Sequence, residues 1–214
     1  VGVSGGKDSL SLLRLLRVRL NCIPINYELL AVHIDLGYGE NQVEKLGKYL
    51  EQENYRYHIE RIRFEVKPGE KISCFWCSWN RRKALFKVAD RFGFNKVALA
   101  HNKDDLIETA LLNLFYHGEI STMLPSLEFF QGRILVIRPL VNIEACELKR
   151  YADIMGLPYL EHSCPFQADV TKRMEMRNLI SFLARKNPHI KGNILKSIER
   201  KEILYKPRRM LGLE

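Results

Sequence analysis

Ser4-Gly5-Gly6-Lys7-Asp8-Ser9 places two adjacent glycines, a lysine, a carboxylate and two hydroxyls in one short stretch. Such a stretch can hold a phosphate. The glycines permit backbone dihedrals closed to other residues and let main-chain amides approach a ligand closely. Lys7 adds a mobile positive charge, and Ser4 and Ser9 add short polar contacts. Asp8 stands apart, because a carboxylate beside a phosphate is repelled unless Mg²⁺ or the chemistry requires it. A second group is Cys74-Phe75-Trp76-Cys77, followed by Arg81, Arg82 and Lys83. A third is His101-Asn102-Lys103-Asp104-Asp105, with Glu108 one helical turn on. Acidic residues at a helix start can simply favour the dipole, and that reading fits Asp104. Asp105, beside His101 at a strand end, reads as a Mg²⁺ contact or a proton acceptor.

A CxxC entering a helix suits a metal corner or a redox pair, and can also arise by chance. A thioredoxin-type pair would stand on its own strand–CxxC–helix unit without a nucleotide loop. A four-cysteine zinc site needs a second CxxC, which this sequence lacks. Cys164, before Pro165, is the candidate third thiolate, whereas Cys22 and Cys146 lie in apolar-patterned segments and are expected in the core. Three thiolates suit a [4Fe–4S] cluster with one open iron able to take sulfide, although four cysteines are the usual complement. Zinc held by three Cys and His162 is the rival reading. An odd number of cysteines without a secretion signal argues against a disulfide framework and for reduced thiols.

These groups need elements to position them. Val1-Gly2-Val3 before the glycines, and Leu10, Leu12, Leu13, Leu15 and Leu16 after them, read as strand, tight turn, helix. In that setting the turn amides and the positive end of the helix dipole face one point. Leu29–Asp35 reads as a strand, 41–54 as a helix opened by an Asn41/Glu44 capping box, and 55–63 as an alternating strand. A helix near 75–92, a strand 96–100 and a helix near 103–116 follow. Ile134–Leu140 reads as the last strand and Glu144–Met155 as a helix stopped by Gly156 and Pro158. From Asp169 onward the pattern is helical and basic, with a break near Pro188. Alternating strands and helices of these lengths imply an α/β fold with a parallel sheet and helices on both faces. Ligands in such sheets bind beyond the carboxyl ends of the strands, which gathers Ser4–Ser9, His33–Asp35 and Ala100–Asp105 around one crevice.

A chain of 214 residues suffices for one full core with a small appendage. Its 46% hydrophobic and 28% charged residues belong to a soluble globular protein, and no apolar run approaches the roughly 18 residues of a membrane span. No signal peptide is visible. Val1 already stands inside a strand, so the natural chain is expected to start further upstream. The net charge is +9, from 34 Lys and Arg against 25 Asp and Glu. From Ser181 onward basic residues dominate, among them Arg185, Lys186, Lys191, Lys196, Arg200, Lys201, Lys206, Arg208 and Arg209. Such a surface commonly answers to nucleic-acid phosphate, and a solvated helix face is the alternative.

Two familiar phosphate loops do not fit: a Walker loop needs GxxxxGK[ST], and a dinucleotide fingerprint needs GxGxxG. SGGKDS instead resembles the signature of the PP-loop ATP pyrophosphatases. With Cys74/Cys77 and the run from Ala100 to Gly118 in the same order, residues 1–170 resemble the TtcA-type tRNA thiolases, the tRNA 2-thiocytidine synthetases. The resemblance implies a Rossmann-like, adenine nucleotide alpha hydrolase-like ATP domain over 1–165 and a basic helical region over 166–214. It implies adenylation of a tRNA base oxygen, usually on a cytidine, followed by displacement of AMP by sulfur. Ser4, Gly5, Gly6, Lys7, Asp8 and Ser9 would hold ATP with Mg²⁺, joined by His33, Asp35 and His101. Lys7, Asp8, Arg81 and Asp105 would serve the reaction. Cys74, Cys77 and Cys164 would bind an oxygen-sensitive [4Fe–4S] cluster. Implied partners are tRNA and a sulfur donor (a cysteine desulfurase or free sulfide), in a cytoplasmic enzyme without membrane contact, for which a homodimer is one candidate assembly. Lys172, Arg173, Arg177 and the tail would hold RNA backbone, and Trp76 and Trp79 would stack on an extruded base or pack in the core. The family's third-cysteine motif often reads PCxxC, whereas here it is His162-Ser163-Cys164-Pro165. Rival functions are a tRNA uridine 2-thiolase, a tRNA lysidine synthase and a non-catalytic RNA-binding module with structural zinc.

Overall fold

The computed structural model describes residues 1–37, 40–62, 74–160 and 170–199. In it the apolar residues 1–3 are hydrogen-bonded on both sides. Gly2 N donates to Ala98 O (2.9 Å), Val3 N to Val32 O (2.8 Å), and Val32 N to Val1 O (2.8 Å). The segment therefore lies between β1 (Ala31–Asp35) and β3 (Lys96–Ala98) and joins two smaller sheets. β1 pairs in parallel with β2 (Tyr57–Arg61), Ala31 opposite Tyr57 and Asp35 opposite Arg61. β3 pairs in parallel with β5 (Ile134–Ile137), whose other edge takes β4 (Ser126–Phe129) antiparallel. The spatial order is β2-β1-(1–3)-β3-β5-β4.

Helices cover both faces, as the alternation along β1 requires. Ala31 packs with Leu10 and Leu13 of α1 (Lys7–Leu20), Leu46 and Leu50 of α2 (Glu40–Gln52) and Ala152 of α5 (Ala145–Ile154). Its neighbours Leu30 and Val32 pack instead with Val88 of α3 (Cys74–Arg91). Glu144 caps α5 through a reciprocal capping box with Glu147, satisfying two otherwise orphaned amides. The parallel α/β architecture expected from the pattern is present. The antiparallel edge β4 was not foreseen, because its residues are largely exposed and show no alternation.

The chain divides into two compact units, residues 1–102 with 124–167, and 103–123 with 168–214. Residues 103–123 thus group with the C-terminal helices, unlike the division at 165/166 read from the sequence. In this second unit α4 (Lys103–Leu112) runs into a π-helical turn, Asn113–His117, ended by Gly118 at φ +67°. Ile107 and Leu111 of α4 pack with Met176 and Ile180 of α6 (Val170–Lys186), and α7 (Ile190–Glu199) follows the break at Pro188.

Leu50 is fully buried against α1 and the sheet. Leu50→Ala is expected to lower unfolding free energy by about 2–5 kcal/mol, read as a shifted urea midpoint at constant m.

Candidate active site

The turn after residue 3 is built by its own side chains. Gly5 sits at φ +86°, a conformation strained for any residue with a Cβ. Gly6 is the N-cap of α1 and supplies no capping side chain, so the helix's positive end is left open to an anion. The buried Ser9 hydroxyl donates to Gly6 O (2.9 Å) and accepts from Ser4 N (3.2 Å). Ser9 therefore fixes the turn, and the exposed Ser4 Oγ, 3.2 Å from Ser9 Oγ, stands at its mouth. Lys7 Nζ lies 2.6 Å from Asp8 Oδ1, so Asp8 holds the ammonium against the first turn. Leu160 N donates to Gly5 O (3.1 Å), tying the chain four residues before Cys164 to this turn.

At the carboxyl end of β1, His33 Nδ1–H donates to Val3 O (2.8 Å). A carbonyl can only accept, so Nδ1 carries the proton and Nε2 is an acceptor. Burial holds the His33 pKa below the usual histidine value of 6.5; the Val3 bond and Asp35 oppose this, and the Arg81 charge adds to it. Asp35 Oδ1 accepts from Gly37 N (2.8 Å), and Oδ2 lies 3.4 Å from Arg61 Nε. Arg81 of α3 thus bears on the end of β1, while its neighbour Arg82 bears on Arg138.

Arg138, directly after β5, was not singled out by motif reading, yet it lies against the expected site residue His101. It is 7% exposed; Nε donates to His101 Nδ1 (3.3 Å) and Nη1 donates to Leu124 O. Its signal was a lone charge between an apolar strand and Pro139. His101 and the buried Asn102 follow β3 at the same edge of the sheet.

Asp105 belongs to the second unit, where the acids of α4 meet bases of α6 and α7. Arg177 forks onto the buried Glu108, Nε to Oε1 at 2.7 Å and Nη2 to Oε2 at 3.3 Å. Arg173 Nη1 lies 3.9 Å from Asp105 Oδ1, and Lys191 Nζ lies 2.7 Å from Asp104 Oδ1. Lys172 Nζ sits 4.6 Å from the Tyr116 ring centroid. Arg173 and Arg177, expected to hold RNA, are thus engaged with carboxylates that balance their charge, and residues 200–214 of the tail lie outside the described ones.

Cys74 opens α3, and Cys77, one turn on, is half-buried; positions three apart share a helix face. Thiolates are the donors an iron–sulfur cluster takes, and by residue type Cys74 and Cys77 supply them. The Cys74 side chain, Cys164 and His162 lie outside the described residues. Cys22 and Cys146 are exposed, contrary to expectation. Cys22 falls just past the end of α1, and Cys146 lies away from Leu148 and Ala152, the inward residues of α5. Trp76 and Trp79 are 43% and 50% exposed, so neither is a core residue, and Lys83 Nζ lies 5.0 Å from the Trp79 ring centroid. No helix among the described residues is long and apolar enough to cross a membrane.

A central strand, a glycine turn at positive φ and a helix with an open N-terminus, under a Rossmann-like sheet, define an ATP-binding PP-loop domain. The family model for the PP-loop domain ATP_bind_3 matches residues 1–182. A tRNA-cytidine(32) 2-sulfurtransferase of Geobacter sulfurreducens is 36% identical over all of this chain and 84% of its own length. Its counterpart in Syntrophotalea carbinolica is also 36% identical, over 91% of this chain and 78% of its own. Among solved structures, the U34-tRNA thiolase NcsA from Methanococcus maripaludis with its [4Fe-4S] cluster gives a TM-score of 0.77 at 25% identity, over 93% of this chain and 69% of that one. The chain belongs to the PP-loop family and, within it, to the tRNA-cytidine 2-sulfurtransferases of the TtcA type.

Because folding depresses the His33 pKa, the unfolded chain binds the extra proton first. The His33 contribution to stability is complete above pH 6.5 and is lost as pH falls from there through the folded pKa. Unfolding free energy measured against pH should fall less steeply below pH 6.5 in His33→Gln than in the parent chain.

Proposed function

We infer that the protein is an ATP-dependent tRNA thiolase that replaces O2 of a cytidine by sulfur. The observation that carries this reading is the PP-loop turn at the carboxyl edge of the sheet together with the Cys74–Cys77 helix start, in a chain whose curated relatives are tRNA-cytidine 2-sulfurtransferases. A base oxygen is a poor leaving group. In the first step O2 attacks the α-phosphorus of ATP and pyrophosphate departs; in the second a sulfur nucleophile attacks C2 and AMP departs.

The residues divide that work. The amides of the Gly5–Lys7 turn and the α1 dipole hold the phosphates. Lys7 and Arg81 balance the charge that grows on the phosphates as the bond to pyrophosphate breaks. Asp8 supplies a carboxylate for Mg²⁺, which would screen the same charge, and Asp105, in the second unit, serves as a Mg²⁺ contact or proton acceptor. Nε2 of His33 offers the nucleotide an acceptor, and Asp35 holds the turn after β1 through Gly37 N. Cys74, Cys77 and Cys164 would hold a [4Fe–4S] cluster, which when bound supplies an open iron for sulfide. Trp76 and Trp79 present exposed rings on which an extruded base can stack. The basic residues after Ser181 are assigned to the RNA backbone, and the sulfur comes from a cysteine desulfurase or free sulfide in the cytoplasm.

Lys7→Ala is expected to reduce tRNA-dependent pyrophosphate release by roughly 100–1,000-fold while tRNA still binds; unchanged release would refute the mechanism. Cys77→Ser, purified without oxygen, should lose iron, labile sulfide and thiolation yet keep pyrophosphate release. Mass spectrometry of the tRNA nucleosides separates 2-thiocytidine from 2-thiouridine and lysidine.

A further inference from the structure

Arg138 has no part in the chemistry above, yet its placement is costly. A guanidinium that is 7% exposed faces an imidazole and a carbonyl, and among the described residues it pairs with no carboxylate. Arg82 bears on it with a second positive charge. Burying a charge against neutral acceptors works against stability, which is a mark of positions retained for function.

We propose that Arg138 is a positioning residue that sets the tautomer of His101, keeping Nδ1 unprotonated as its acceptor and placing the proton on Nε2. Arg138 Nε–H points at His101 Nδ1 at 3.3 Å. A guanidinium has donors and no acceptor, so His101 Nδ1 must supply the lone pair. The neutral ring then carries its hydrogen on Nε2. Arg138 is itself clamped: Nη1 donates to Leu124 O, and its main-chain N donates to Pro125 O (2.8 Å). The ring plane and the tautomer are therefore fixed together, as outer partners fix histidine ligands at metal sites. His33 has the opposite assignment, with Nδ1–H on Val3 O and Nε2 bare. The carboxyl edge of one sheet thus holds two histidines with complementary roles, His33 as acceptor and His101 as donor. The ligand class that matches a neutral N–H donor there is a phosphate oxygen of the nucleotide, which rests on the proposed function; the tautomer itself does not.

The test is the long-range ¹H–¹⁵N correlation spectrum of the full chain labelled at histidine, with His101 assigned by its loss in His101→Gln. The expected result at neutral pH is a pyridine-type shift for His101 Nδ1 and a pyrrole-type shift for Nε2. In Arg138→Met both nitrogens should move toward averaged values. The variant should lose roughly 10–100-fold in kcat for AMP release, with KM for ATP changed less than about twofold. His101→Gln, which keeps an N–H donor, should retain more activity than His101→Ala. A pyrrole-type Nδ1 or an imidazolium in the parent chain overturns the proposal. So does an unaltered His101 spectrum in Arg138→Met, or a loss confined to KM, which would make Arg138 a ligand contact. A parent chain that releases no AMP would refute the thiolase reading and leave the spectrum to decide the tautomer.

Discussion

The fold depends on a three-residue segment. Val1–Val3 exchange main-chain hydrogen bonds with Val32 on one side and Ala98 on the other, so two small sheets become one surface. Gly2 is the close approach in this segment: a Cβ there would stand 3.2 Å from Leu99 Cδ2 and 3.3 Å from Leu85 Cδ1. Because the segment is held from both sides, the chain leaves it in a fixed direction, and only a residue free to adopt φ +86° turns it into α1. The phosphate turn is therefore positioned by the sheet rather than by its own flexibility. The same segment reaches into the site, since Val3 O accepts from His33 Nδ1–H and so decides which nitrogen of that ring is available.

Charge is organised differently in the second unit. A net charge of +9 suggests a uniformly basic surface, but Arg173, Arg177 and Lys191 face the acids of α4. The Arg177–Glu108 fork is the strongest of these contacts, because Glu108 is 2% exposed and a buried carboxylate without a cation would be untenable. Pairing also defines the acidic first turn of α4: Asp104 meets Lys191, and Asp105 lies near Arg173.

The glycine turn, the strand–helix alternation and the CxxC helix start were legible because each rests on local physics: backbone permissiveness, apolar period and donor type. What escaped notice depends on tertiary contacts. β4 forms from exposed residues that pair only because β5 offers an edge. The π-helical turn after α4 shifts hydrogen bonds without changing composition, so Asn113–His117 reads as ordinary helix. Cys22 and Cys146 sit among apolar neighbours in sequence but just outside the packed faces. Arg173 and Arg177 looked like free charges because Glu108 lies more than 60 positions away, as the separations of 64 and 69 residues for their bonds to α4 show. Arg138 gave a weak signal for the same reason.

The pairing of one acceptor with one donor histidine bears on which base the site can serve. Uridine must lose the proton on N3 as its carbonyl oxygen becomes an O-adenylate, so its activation calls for a base. Cytidine has no proton on N3, and its O2 can attack phosphorus directly, leaving positive charge spread over the ring. A cytidine site therefore gains more from donors and cations around the phosphates than from a proton acceptor beside the base. On the proposed reading, Lys7 at the turn and Arg81 bearing on β1 supply those cations, and Arg138 acts only through the His101 donor. His33, whose folded pKa lies below the usual histidine value, remains neutral alongside them and can accept a hydrogen bond without adding charge.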